Sequence, residues 1–244
     1  MAEARPAFYA LDRGGWRDYW TLLHPPYTLW HLSYVGLGAS IAPTFDWRKL
    51  LAVAVAFFLG VGVTAHALDE LNGRPLQTKI PGWVLWGLAW LGLAGAVGIG
   101  FLGAAVVSWW LAVFIAFGGF VVVAYNLELF GGALHSDLWF AISWGAFPAL
   151  TAYFAQAETF RIEAILVAAA CGALSAAQRR LSTPARLLRR RAVRVSGTID
   201  LDDGNEMAID DSTLREAPES ALRALSTAVV LLAAGLIVFR LWPA

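Results

Sequence analysis

Long unbroken apolar runs dominate the chain, each close to the roughly 20 residues a helix needs to cross the hydrocarbon core of a bilayer. Seven such segments are predicted, at about 24–43, 49–69, 82–103, 105–125, 138–155, 161–178 and 220–241. The first is the least apolar and carries His31, a candidate for hydrogen bonding between helices. The second (LLAVAVAFFLGVGVTAHALDE) and the seventh (ALRALSTAVVLLAAGLIVFRLW) are clear. The third and fourth are nearly continuous, with a break expected near Gly103. Small residues such as Gly60, Gly62, Gly95, Gly98 and Gly100 recur inside the runs, and small residues let helices approach closely in lipid. The pattern predicts an all-α integral membrane protein of about seven transmembrane helices.

One long polar insertion, 179–218, interrupts this pattern before the last helix. It begins basic (AQRRLSTPARLLRRRAVR) and turns acidic (TIDLDDGNEMAIDD). Ser182 or Thr183 followed by Pro184 predicts the cap of a short amphipathic helix over 184–192, whose arginines would lie on anionic headgroups. Val193, Val195 and Ile199 then alternate with polar residues toward Asp203-Gly204, which predicts a small hairpin. The chain thus divides into a membrane core over 1–178, a polar loop over 179–218 and a last transmembrane helix within 219–244.

Composition agrees with this division. Of 244 residues, 59% are hydrophobic, 15% are charged and twelve are Trp, a residue that favours the bilayer interface. Lys plus Arg equals Asp plus Glu at 18 each, so net charge gives no argument for a nucleic-acid partner. The beginning of the chain lacks an immediate apolar run, so no cleaved signal peptide is expected. Cys171, the single cysteine, lies inside an apolar run and is expected to be a small buried residue. The basic residues are segregated. Seven spans place fourteen Lys and Arg beside the N-terminus and loops two–three, four–five and six–seven, against four on the other side: Arg48, Lys49, Arg161 and Arg240. By the positive-inside rule the N-terminus is cytoplasmic and the C-terminus outside, in a cytoplasmic (inner) membrane.

Ionisable residues in or beside spans are costly and mark candidate sites. Two clusters stand out. At the end of the second span, His66, Asp69 and Glu70 are spaced to share one helix face, and Asn72-Gly73, Arg74 and Pro75 follow as the helix ends. After the fourth span come Tyr125, Asn126, Glu128, the flexible pair Gly131-Gly132, His135 and Asp137. The predicted topology puts both on the cytoplasmic side with the basic start of the insertion. Converging carboxylates there (Asp69, Glu70, Glu128 and Asp137) suit Mg²⁺, which prefers oxygen ligands and bridges to substrate phosphates. Neighbouring arginines suit a diphosphate.

At these clusters the sequence resembles the UbiA superfamily of intramembrane prenyltransferases, over about 24–180. That family carries Asn-Asp-x-x-Asp-x-x-x-Asp at the end of its second helix, often followed by Arg-Pro-Leu. Here Ala65-His66-Ala67-Leu68-Asp69-Glu70-Leu71-Asn72-Gly73 occupies that place, followed by Arg74-Pro75-Leu76. The second family motif is matched by Tyr125, Glu128, His135 and Asp137 before Trp144-Gly145-Ala146-Phe147-Pro148. Of the first motif's acids only Asp69 remains, Glu70 adds a carboxylate, and the family's nine helices compare with seven here. The resemblance implies a UbiA-like bundle that transfers a prenyl group from an isoprenyl diphosphate to a lipophilic or aromatic acceptor. Asp69 and Glu70, with Asp137 or Glu128, would hold Mg²⁺. Arg74 and Arg180 would neutralise the leaving diphosphate, with Asn72, Tyr125, Asn126, Glu128 and His135 also on the substrate. His66 or His135 would take the acceptor's proton. The alternatives are a non-catalytic isoprenoid-binding or scaffold protein of the same fold, and an ion-coupled transporter using His66, Asp69 and Glu70. The Asp-Gly-x-x-Ala-Arg signature of CDP-alcohol phosphatidyltransferases is absent, as are haem, zinc and nucleotide-loop patterns.

Overall fold

The computed structural model describes residues 5–242. Residues 1–4, where the predicted cytoplasmic N-terminus begins, and 243–244, at the C-terminus predicted to lie outside, fall beyond the described residues. After a short helix α1 (Trp16–Leu22), seven long helices follow: α2 (Pro25–Ile41), α3 (Trp47–Leu71), α4 (Gly82–Val106), α5 (Leu111–Asn126), α6 (Asp137–Ala157), α7 (Ile162–Arg191) and α8 (Asp211–Leu241). A two-stranded antiparallel hairpin, β1 (Gly197–Asp200) and β2 (Glu206–Ile209), sits between α7 and α8 and pairs Gly197 with Ile209. Helices α3, α4, α6, α7 and α8 are each long and apolar enough to cross a membrane, and α5 is a shorter apolar helix. The chain is a multi-pass, all-helical membrane protein apart from the hairpin.

Local chemistry explains the helix ends. Pro25 and Pro26 open α2, where a missing N–H costs nothing. The Asp46 carboxylate accepts from the Arg48 amide at 2.8 Å to start α3. Ser136 caps α6, and a reciprocal Asp210–Thr213 capping box starts α8. Gly73, with φ of 91°, terminates α3.

Helix α2 is the axis of the bundle, packed between α6 and α8, with Trp30 and Tyr34 fully buried. That position explains its low hydropathy: His31, Ser33 and Ser40 meet protein rather than lipid. Helices α2 and α6 touch so closely at Gly38 that a Cβ there would stand 2.1 Å from the Ala149 carbonyl oxygen. Helices α3 and α4, by contrast, turn most of their surface outward. Two stretches widen into π-helix, Phe58–Ala65 in α3 and Ala141–Ala146 in α6, a feature that concentrates at functional sites.

Three boundaries differ from the sequence reading. The break between the third and fourth segments falls at 107–110 rather than near Gly103. The sixth segment runs without interruption to Arg191, so no separate helix begins at Pro184. The Ser182 and Thr183 hydroxyls donate to the Arg179 carbonyl instead of capping a new helix, and Arg189 pairs with Glu219 of α8 to hold the extension in place. Finally, the capping box starts α8 at Asp211, well before its apolar stretch.

Candidate functional site

Residues 5–24, the C-terminal ends of α3, α5 and α7 and the start of α6 meet at one end of the bundle, called here the N-terminal face. Residues 5–22 run across it as a strap. The Arg190 guanidinium donates to the Pro6 carbonyl, the Tyr9 hydroxyl meets His24 Nδ1 at 2.6 Å, and the Lys79 amide donates to the Asp18 carboxylate at 2.9 Å. Burial pushes the Tyr9 hydroxyl pKa well above its ordinary value.

Beneath the strap, the residues of the first cluster separate into two roles. Glu70 is fully buried, and its carboxylate accepts from the Leu76 amide (2.9 Å), the Thr78 amide (2.8 Å) and the Thr78 hydroxyl (2.9 Å). It is a brace for the loop between α3 and α4, which corrects its expected place as metal ligand and catalytic group. Arg74 likewise donates to the Thr78 and Ile80 carbonyls of that loop, and Asn72 to the Asn126 carbonyl of α5. The Asn126 amide turns back onto Val122. These three residues tie the chain to itself rather than presenting donors to a substrate.

His66 and Asp69 remain half-buried and open. Asp69 forms no hydrogen bond and no ion pair among the described residues, yet Arg186, Arg190 and His135 act on it electrostatically. His66 stacks on His24 with ring centroids 4.2 Å apart. Its Nδ1 meets the Gly62 carbonyl at 3.0 Å. A carbonyl only accepts, so Nδ1 carries the proton and Nε2 of the neutral ring is left with a free lone pair. Arg186 and Arg190 are one turn apart on α7. Among the described residues each makes a single hydrogen bond, to Thr183 and Pro6 respectively, which leaves most of their five N–H donors unassigned there.

The second cluster flanks this recess. Tyr125 is sandwiched between His135 (4.4 Å) and Trp144 (4.6 Å). Arg179 donates to both the Tyr125 hydroxyl and the Asp137 carboxylate. Asp137 is therefore paired rather than open. Glu128 is exposed in a left-handed turn, 3.9 Å from His135. Arg180 is exposed, so the inward arginine is its neighbour Arg179.

The four expected carboxylate ligands thus do not form one donor set, and among the described residues no group of three or more His, Cys, Asp or Glu could hold a metal ion. Among the described residues Asp69 is the one of the four that is half-buried with neither a hydrogen bond nor an ion pair. That fits an Mg²⁺ ion carried in by a diphosphate, since this ion binds through one or two carboxylates together with substrate phosphates. It does not fit a resident ion. Sequence reading missed Tyr9, His24 and Arg179 and took Arg186 and Arg190 for topology signals. The helical phase of α7, carried past residue 178, is the signal that would have turned Arg179, Arg186 and Arg190 inward.

An apolar cavity lies elsewhere. It encloses about 550 Å³ between α3, α4, α5 and α6, and runs from the opposite face to Val61, Val121, Val122 and Trp144 near mid-bundle. Trp144 and Tyr125 separate its inner end from the polar recess. No protein-family model, curated protein or solved structure matches the chain.

Proposed function

We propose that this chain is a UbiA-like protein of the cytoplasmic membrane, with seven spans and its N-terminal face in the cytoplasm. On this reading it binds the Mg²⁺ complex of an isoprenyl diphosphate in the recess around Asp69. The observation that carries the reading is Asp69 itself: a half-buried carboxylate at the end of a spanning helix, with no partner among the described residues and within electrostatic reach of two arginines. The concentration of basic residues at this face supports the orientation.

The reaction this arrangement supports is transfer of the prenyl group to a lipophilic or aromatic acceptor. Arg186 and Arg190 take charge that develops on the diphosphate as its bond to the allylic carbon breaks. The acceptor forms the new bond at that carbon, and its proton passes to Nε2 of His66. A second reading is binding without transfer, favoured by the engagement of Glu70 and Asp137 in internal contacts.

Binding of geranylgeranyl diphosphate to the purified protein, with Mg²⁺ or with chelator, tests the proposal. Wild type is expected to bind only with Mg²⁺, to bind no Mg²⁺ without the diphosphate, and to lose binding in Asp69→Asn. Unimpaired binding in Asp69→Asn would overturn it. Binding without diphosphate release, across a panel of aromatic and alcohol acceptors, would select the second reading.

A further inference from the structure

The apolar cavity stands apart from the recess and has its own charged mouth. Along α3, Lys49, Ala52, Val53, Ala56, Phe57 and Gly60 line it at three- and four-residue spacing, one face of the helix. From Lys49 to Val61 that face extends about 18 Å at 1.5 Å per residue, more than half the roughly 30 Å hydrocarbon thickness. Its width has a local cause: Gly60 and Gly119 line it, and a Cβ at either would meet nothing within 4 Å.

The mouth carries Asp46, Arg48 and Lys49. Asp46 is occupied as the cap of α3. The Arg48 guanidinium lies over the Trp47 ring, 5.6 Å from its centre, and neither it nor Lys49 is in an ion pair among the described residues. Trp47, Trp109 and Trp110 are exposed at this end, the residue type found at headgroup level. An apolar slot open at headgroup depth, with two cations uncommitted at its rim, is complementary to a lipid whose headgroup is negative.

We propose that this cavity is a second lipid site, which takes one acyl chain of an anionic phospholipid from the leaflet at the opposite face, its headgroup on Arg48 and Lys49. The site is independent of the diphosphate recess.

Native mass spectrometry of the full chain, exchanged from detergent into mixtures of palmitoyl-oleoyl phosphatidylglycerol and phosphatidylcholine, tests this. Wild type is expected to retain phosphatidylglycerol preferentially. Arg48→Gln and Lys49→Gln are each expected to reduce the preference about fivefold, at roughly 1 kcal/mol per cation. Gly119→Leu, which fills the slot and raises helix propensity, is expected to remove the retained lipid with helix content unchanged by circular dichroism. Arg186→Gln is expected to leave lipid retention as in wild type. Equal retention of the two phospholipids by wild type would overturn the proposal, as would full retention by a folded Gly119→Leu.

Discussion

The two ends of this bundle are built from opposite materials. At the N-terminal face, polar side chains fill the space between helices, and almost every one is committed: Glu70 to a loop, Asn72 to α5, Arg179 to Tyr125 and Asp137, Arg189 to Glu219. Toward the opposite face, glycine and aliphatic side chains leave the interior hollow. In a bilayer a polar group unpaired within the protein is costly, whereas an apolar hollow can be filled by lipid. The contrast locates chemistry by exception: at the polar end, the few groups left open are the informative ones, and among the described residues they include Asp69, Arg186, Arg190, Nε2 of His66 and the unpartnered Nε2 of His24.

The sharpest way to break this contrast is Glu70→Ala. Two buried amides and a hydroxyl would lose their acceptor, so a loss of about 4 kcal/mol is expected, read as a large drop in melting temperature in detergent. Glu70→Gln, which keeps an acceptor oxygen, should cost less. If Glu70→Ala were as stable as wild type but inactive, Glu70 would belong to the site after all. Asp69→Asn should do the reverse, leaving stability intact and weakening Mg²⁺-dependent diphosphate binding about a hundredfold by isothermal titration, near 3 kcal/mol. Arg186→Gln should cost roughly tenfold in the same titration. The smallest effect is expected from Tyr9→Phe, about 1 kcal/mol for a lost hydrogen bond to His24, detected as faster proteolysis of the strap. Because the folded Tyr9 hydroxyl resists ionisation, its contribution is complete below the ordinary tyrosine pKa near 10 and is lost as pH rises above it. Strap proteolysis should therefore rise at high pH in wild type and change less in Tyr9→Phe.

Much of the fold was legible because a bilayer demands long apolar segments, and all seven coincide with helices. The hairpin was equally plain from alternation around Asp203-Gly204. What was hidden depends on partners far along the chain or on helical phase. Nothing near Glu70 announces Thr78 as its partner, since that contact needs the loop already folded. Ending the sixth segment at 178 stopped one residue short of Arg179, so the inward face of the arginine run went unread and its exposed neighbour Arg180 was preferred. Tyr9 and His24 meet only because the first residues fold back over the bundle. Of the expected ligands, Asp69 is the one that lies half-buried without a hydrogen bond or ion pair among the described residues.

The widened stretch of α3 has a consequence for how the recess is aimed. Phe58–Ala65 closes its backbone bonds over a longer ring than the helix on either side. Tightening that stretch to 3.6 residues per turn with its length unchanged would rotate everything downstream relative to the residues before it. Asp69 would swing away from Arg186 and Arg190, and Glu70 away from Thr78, although neither residue had changed. The direction of the recess is thus a property of the chain upstream of it, and a substitution there that drew the stretch into a regular α-helix at unchanged length would disarm it as surely as replacing Asp69.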